Sequence, residues 1–369
     1  MKIEAYKDNT IYSCRFCHMC QHACTVANVT QNEADTTRGK LFTLFTVLNG
    51  SQAYGPEVAS LMTHCTTCDN CKEWCYSHFD PAEAIEASRA DLVEAGMVTP
   101  DMAQFADRMR TDGNPYGVAR EEGRIVLSSL GAESKAAVMY FPGCTVFYRR
   151  PGVARAMGRI FNAAGVPFIV PEEADCCGIF LHQLGYRAQA MEIAAKNLQT
   201  LTDTGVKEVV FSCPHCLQAF ATAYREWDLT VPADVRLVHQ TDYVAELLRA
   251  GGIKPSGKLA GKIAYHDPCT LGRKMGIYDA PREILSVIAE NTAELHWNRE
   301  KAHCCGAGGG MLFTNPEIVK KAAANRAAEA KNAGADRIAT ACPLCLESMG
   351  GTNEIDVVDL IELLAAITG

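Results

Sequence analysis

The feature that most limits how this chain can fold is where its cysteines stand. There are 18, at positions 14, 17, 20, 24, 65, 68, 71, 75, 144, 176, 177, 213, 216, 269, 304, 305, 342 and 345, and all fall into regular groups. The N-terminus reads MKIEAYKDNT, without an apolar h-region. The expectation is therefore a reducing compartment, the cytoplasm, where thiols bind metal rather than pair as disulfides. Two doublets, Cys176-Cys177 and Cys304-Cys305, sharpen the point. Adjacent cysteines close only a strained disulfide, and they grip a single metal ion less well than a Cys-x-x-Cys pair does. They need a larger object between them.

Composition narrows the partners. With 48% apolar and 21% charged residues, the chain is an ordinary globular protein. Its net charge of −8 and lack of a basic stripe argue against nucleic acid as a partner. No run approaches the length of a membrane-spanning helix, so a soluble protein is expected, with any membrane contact made through a partner. The 369 residues suggest two or three domains.

Residues 14–24 read CRFCHMCQHAC and residues 65–75 read CTTCDNCKEWC, both C-x2-C-x2-C-x3-C. This run resembles the bacterial two-cluster ferredoxin signature, in which the fourth cysteine serves the other cluster. The resemblance implies one [4Fe-4S] cubane on Cys14, Cys17, Cys20 and Cys75, and a second on Cys65, Cys68, Cys71 and Cys24. The proline that normally follows each fourth cysteine is replaced by Thr25 and Tyr76. The alternative is a pair of zinc sites, to which duplicated three-cysteine loops are poorly suited. Asp80-Pro81 opens an expected helix to Gly96, with Asp80 as its cap, and a second helix is expected over 101–110.

The remainder is duplicated. FPGC, DCCG and CPHC in the first copy match HDPC, HCCG and CPLC in the second. In the first copy 31 residues separate Cys144 from Cys176, and 35 separate Cys177 from Cys213. The corresponding gaps in the second copy are 34 and 36. In the first copy the apolar runs AAVMYF, VPFIV, KEVVFS and VRLVH alternate with helical patterns near 152–164, 185–203, 214–226 and 241–250. That alternation predicts a parallel sheet covered by helices, with the cysteines in turns at its carboxyl edge. Five thiolates on one spot are one too many for a cubane or a zinc ion. The doublet then splits between two irons of an opened cluster, or one thiol of the five is spare. Gly178, Gly306 and Gly308–Gly310 let backbone N–H groups approach the sulfurs.

These motifs resemble the cysteine-rich CCG domain of heterodisulfide reductases. Their order after the ferredoxin-like run resembles the D subunit of those enzymes, and the iron–sulfur subunits of glycolate oxidase and anaerobic glycerol-3-phosphate dehydrogenase. The resemblance implies a mixed α/β and α+β chain. A two-cluster ferredoxin-like helical module would span 1–112, a linker 113–135, and two tandem parallel α/β domains 136–255 and 256–369. It implies one or two non-cubane [4Fe-4S] clusters. Cys144, Cys176, Cys177, Cys213 and Cys216 would hold the first, and Cys269, Cys304, Cys305, Cys342 and Cys345 the second. A disulfide substrate would be cleaved between them.

His266, His303, His182 and Arg273 flank these ligands. They either deliver protons and bind an anionic substrate, His266 being the best catalytic candidate, or they tune the clusters by hydrogen bonding. Arg149-Arg150 steers an acidic substrate or caps its own loop. No G-x-G-x-x-G follows a strand, so no flavin or nicotinamide is expected on this chain. The reading is an iron–sulfur subunit of a hetero-oligomeric oxidoreductase, fed by a flavoprotein and reducing a disulfide. One alternative is a relay from a dehydrogenase of hydroxy acids, glycerol phosphate or methylated amines to membrane quinone. The other is a non-redox zinc protein.

Overall fold

The computed structural model describes residues 1–119, 121–122, 129–171 and 176–368. Part of the expected linker therefore lies outside the described residues, as do Ala174 and Asp175 beside the first doublet. Among the described residues no helix is long and apolar enough to cross a membrane.

Before Val138 the regular structure of the described residues is helical, with principal helices Thr25–Thr30, Thr37–Leu48, Pro56–Thr63, Pro81–Glu94 and Pro100–Thr111. Local chemistry starts two of them. The Thr36 hydroxyl accepts from the Gly39 N–H at 2.9 Å, and Thr99 accepts from Met102 N–H at 3.3 Å just before Pro100. The helix expected over 101–110 is thus present and one residue longer at each end. The helix expected from Pro81 is present, but Asp80 makes no side-chain cap. Its carboxylate pairs with Lys72 at 2.5 Å, a charged partner that outbids a backbone N–H. Ile3, Leu44, Val58, Met62, Ile85 and Leu92 bury the shared face of these helices.

Two four-stranded parallel sheets follow. The first contains β1 (Val138–Phe141), β2 (Phe168–Ile169), β3 (Glu208–Phe211) and β4 (Arg236–His239) in the order β2-β1-β3-β4. The second contains β5 (Leu259–His266), β6 (Ala289–Glu294), β7 (Arg337–Thr340) and β8 (Asp356–Asp359) in the order β6-β5-β7-β8. Helices cover both faces, which is why the central strands VMYF and EVVF read as short apolar runs without alternation. Cys144 and Cys213 stand just past the carboxyl ends of β1 and β3, and Cys269 and Cys342 just past β5 and β7. The same topology carries the same two positions twice.

The sheets share a core. One apolar cluster joins Met139, Phe141, Val209 and Phe211 to Ala264 and Ile338, and contains all ten cysteines of the two copies. Their contact is reciprocal. The helix Pro214–Gln218 of the first copy packs on the turn Thr270–Lys274 of the second, and Pro343–Gly350 of the second packs on Cys144–Tyr148 of the first. This internal two-fold arrangement turns the two cysteine-bearing edges toward each other.

Candidate functional site

The N-terminal cysteines gather around two cavities. One, of about 330 Å³, is lined by Cys14, Cys17, Cys20 and Cys75. The other, more enclosed, is lined by Cys24, Cys65, Cys68 and Cys71. Cys71 borders both. The last cysteine of each run therefore stands with the first three of the other. In each run the residue two after the first cysteine has a positive φ, 48° at Phe16 and 49° at Thr67. Side chains rarely adopt that conformation, and here it aims an N–H at the preceding sulfur, 3.4 Å to Cys14 and 3.5 Å to Cys65.

The doublets repeat the device with glycine. Gly178 and Gly306, at φ 80° and 93°, each direct an N–H to the sulfur two residues back, Cys176 and Cys304, at 3.4 Å. The run Gly308–Gly310 does something else. A Cβ on Gly308 or Gly309 would strike the backbone of Cys65 and Thr66, so these glycines admit the N-terminal loop rather than approach sulfur.

The ten remaining thiols form two buried groups that touch. Within the second, Cys305 and Cys345 are 3.2 Å apart and Cys269 and Cys304 3.8 Å. Within the first, Cys144 lies beside Cys176, Cys177 beside Cys216, and Cys213 beside Cys216. Cys213 also reaches Cys342 across the copies, and Cys304 reaches Cys68 of the N-terminal run. Packed this closely, the thiols split their protons unevenly. Hydrogen bonds from Cys144 and Cys177 hold Cys176 well below the ordinary thiol range, and one from Cys304 lowers Cys68 to about 5.

The flanking residues are each held by specific contacts. His182 stacks on Trp227 with ring centres 4.4 Å apart, and burial lowers it to about 3. His303 stacks on Trp297 at 5.3 Å, lowered by burial to about 4. Both are held neutral against aromatic rings, a poor setting for proton delivery. His266 accepts at Nδ1 from Arg326 at 3.0 Å, so that nitrogen has no room for a proton, which argues for a fixed donor rather than a proton carrier. Arg273 donates to the carbonyls of Cys68, Glu300 and Ala302 at 2.5, 3.0 and 2.8 Å, and its neighbour Lys274 pairs with Asp69 at 2.9 Å. Arg149 and Arg150 both meet Glu347, at 3.0 and 2.7 Å. The basic pair after each copy's first cysteine is thus spent on holding the adjacent unit, not on steering an anion.

One further residue belongs to the site although the motifs alone do not single it out. His215, inside CPHC, places Nε2 3.0 Å from the Thr270 hydroxyl of the other copy and Nδ1 3.9 Å from Cys213. Burial opposes its charge, but the thiolates of Cys213, Cys269 and Cys305 together raise its pKa. Leu344 occupies the matching position in CPLC, and that difference between the copies is the signal the sequence holds. Arg326 and Arg89, both fully buried, have no such signal.

The donor set suits iron–sulfur clusters. Besides thiolates in groups of four and five, the buried Nε2 of His266 and Nη2 of Arg273 have no hydrogen-bond partner among the described residues. Cluster-bound sulfur is an acceptor that would satisfy both.

The sequence carries the cysteine-rich domain called CCG twice, at residues 138–221 and 263–350. It is 33% identical to the D subunit of the dihydromethanophenazine:CoB–CoM heterodisulfide reductase of Methanosarcina barkeri, over 83% of this chain and 77% of that one. This chain belongs to the family of heterodisulfide reductase D subunits. It is also 31% identical to the EtfAB:quinone oxidoreductase of Syntrophomonas wolfei, over 76% of this chain and 42% of that protein. Among solved structures, a hypothetical protein from Helicobacter pylori shares the fold, with a TM-score of 0.57 at 11% identity, covering 89% of this chain and 68% of that one.

Proposed function

We propose that this chain is the electron-transferring iron–sulfur subunit of a larger oxidoreductase and reduces a disulfide-type substrate between its two CCG copies. In this reading residues 1–112 form the ferredoxin-like module, with 136–255 and 256–369 as the paired domains. Cys14, Cys17, Cys20 and Cys75 would hold one cubane, and Cys24, Cys65, Cys68 and Cys71 the other. The two quintets would hold the non-cubane clusters. When bound, such clusters supply one-electron transfer and, at the quintets, reductive cleavage of a sulfur–sulfur bond.

The observation that carries this reading is the continuity of the sulfurs. Cys71 borders both N-terminal cavities, Cys68 reaches Cys304, and Cys342 reaches Cys213. Each group thus meets the next through cysteine, in the order first run, second run, second copy, first copy. Solvent exposure supports the same direction. Cys17 of the first run is exposed, a natural entry for electrons from a flavoprotein partner. In the C-terminal half, Cys144, Cys176, Cys213 and Cys269 keep 6 to 8% exposure while the other six thiols keep at most 3%. Three of those four belong to the first copy, where a substrate would meet sulfur.

Likeness to a quinone oxidoreductase favours a second reading, in which the chain relays electrons from a flavin-dependent dehydrogenase to membrane quinone. Anaerobic purification with iron and sulfide counting separates the two. Two cubanes and two non-cubane clusters require about 16 irons per chain, and the oxidised centres should change their EPR signal on adding a thiol substrate. About 8 irons and no response to thiols would leave the relay alone.

A further inference from the structure

The two quintets differ in the residue three places before their first cysteine. Matching FPGC with HDPC sets Phe141 against His266. Phe141 packs among aromatic rings, 5.5 Å from Phe211 and 5.2 Å from Phe220, and offers no donor. His266 is fully buried, and a ring nitrogen lies within 4.8 Å of the sulfurs of Cys305 and Cys345.

What His266 offers those sulfurs is decided by Arg326, on the helix Pro316–Asn332. Arg326 is also buried, donating from Nε to His266 Nδ1 at 3.0 Å and from Nη1 to Glu329 at 2.5 Å. A guanidinium has no acceptor, so the Nδ1 lone pair receives its proton and the imidazole's single hydrogen stays on Nε2. Nε2 makes no hydrogen bond of ordinary length among the described residues, and Cys305 is the sulfur in its reach. A buried donor left unmet is costly, and a thiolate or sulfide acceptor would satisfy it.

We propose that His266, positioned by Arg326, makes the centre in the second copy the more easily reduced of the two C-terminal centres. This rests on the reading of the quintets as cluster sites. Reduction by one electron adds negative charge to the sulfurs, and an N–H aimed at them, backed by a buried guanidinium, stabilises that charge. Arg273 adds a second cation on this side, beside Cys68, Cys269 and Cys304. His215 approaches Cys213 of the first copy through Nδ1 only at 3.9 Å, and its Nε2 is engaged by the Thr270 hydroxyl of the second copy. The first copy has Phe141 in place of the donor. Electrons arriving through Cys68 would therefore collect in the second copy before moving on to the first.

The test is EPR-monitored redox potentiometry of the full-length, anaerobically reconstituted protein, with iron counted in each sample. In the native protein the two C-terminal centres should titrate as separate waves. The higher should show magnetic coupling to the reduced N-terminal clusters, since Cys304 adjoins Cys68. His266→Phe should lower that midpoint by at least a tenfold change in the reduction equilibrium, about 59 mV for one electron, and leave the other in place. Arg326→Leu should move the same centre in the same direction, and Arg326→Lys should recover part of the shift. Coincident midpoints, coupling carried by the lower wave, or unshifted variants with intact iron would each overturn the inference alone. A native C-terminal half without iron would remove the proposed function and this inference with it. The native measurement decides the matter even if the variants do not fold.

Discussion

Arg89 and Gly309 are 220 residues apart in the chain and joined by a 3.0 Å hydrogen bond from guanidinium to carbonyl. The same guanidinium donates to the carbonyls of Met62, Gln183 and Cys65 at 2.8, 3.0 and 2.7 Å. It therefore binds the N-terminal helices to both CCG copies at the second cysteine loop. Arg89→Leu leaves four carbonyls, three of them in buried bonds, without their donor. At about 1–3 kcal/mol for each unmet group, less relaxation, the loss should be about 3 kcal/mol or more. Arg89→Lys, with a shorter reach and no planar fork, should fall between the two. Denaturant titration followed by cluster absorbance reads the effect, and an unchanged midpoint in Arg89→Leu would refute the role.

Glu347 is the single carboxylate that receives both Arg149 and Arg150, and it retains 15% of its side-chain exposure. Its arginine partners are half to one-third exposed, so water and salt screen the pair. Glu347→Ala should destabilise the contact between copies by about 1 kcal/mol, and the difference from the native protein should shrink in high salt. A salt-independent difference would mean that packing, not charge, holds the seam.

These contacts show what the sequence could and could not reveal. The spacing of the cysteines marks both copies, and the apolar runs before Cys144 and Cys213 mark the strands that carry them. Strand and turn are local properties, written in neighbouring residues. Arg89, Arg326 and Glu347 act through single bonds to residues far along the chain, and nothing periodic announces them. Gly308–Gly310 misleads for the same reason. A glycine run signals close approach but not what approaches, and here it is the Cys65-Thr66 backbone at Gly308 and Gly309 and the Leu184 side chain at Gly310 rather than sulfur. Asp80 shows the opposite failure, where a good local cap loses its carboxylate to Lys72.

Asp359 makes a pH prediction with a definite sign. It is fully buried at the start of the last helix, with Oδ1 accepting from Ile361 N–H at 2.8 Å and Oδ2 without a partner among the described residues. Burial raises its pKa to about 8. A carboxyl raised in the folded state binds its proton more tightly there than when unfolded. Its contribution to stability is complete below the unfolded carboxyl range and declines as pH rises toward 8, at up to about 1.4 kcal/mol per pH unit. Asp359→Asn keeps the Oδ1 acceptor and removes the titration. Unfolding curves from pH 5 to 8 should therefore be flatter in the variant, which should be the more stable protein at pH 8. Parallel pH profiles would show that Asp359 does not titrate in this window.

The glycine run allows the contact between halves to be tested without touching a ligand. Gly309 has a φ of 61°, and a Cβ there would meet the Cys65 carbonyl and the Thr66 backbone. Gly309→Ala must push the second cysteine loop away from the CCG copy it adjoins, and with it Cys68 from Cys304. The eight N-terminal and ten C-terminal cysteines all remain, so iron content should match that of the native protein. Electron transfer falls steeply with added distance, so reduction of the C-terminal centres by an N-terminal donor should slow by roughly tenfold, which corresponds to about 1.4 kcal/mol in the barrier. Direct chemical reduction of those centres should be unaffected. Stopped-flow optical traces with a protein donor and with a small reductant separate the two routes. Equal slowing in both would place the damage inside the C-terminal sites, and no slowing in either would mean that electrons do not pass between Cys68 and Cys304.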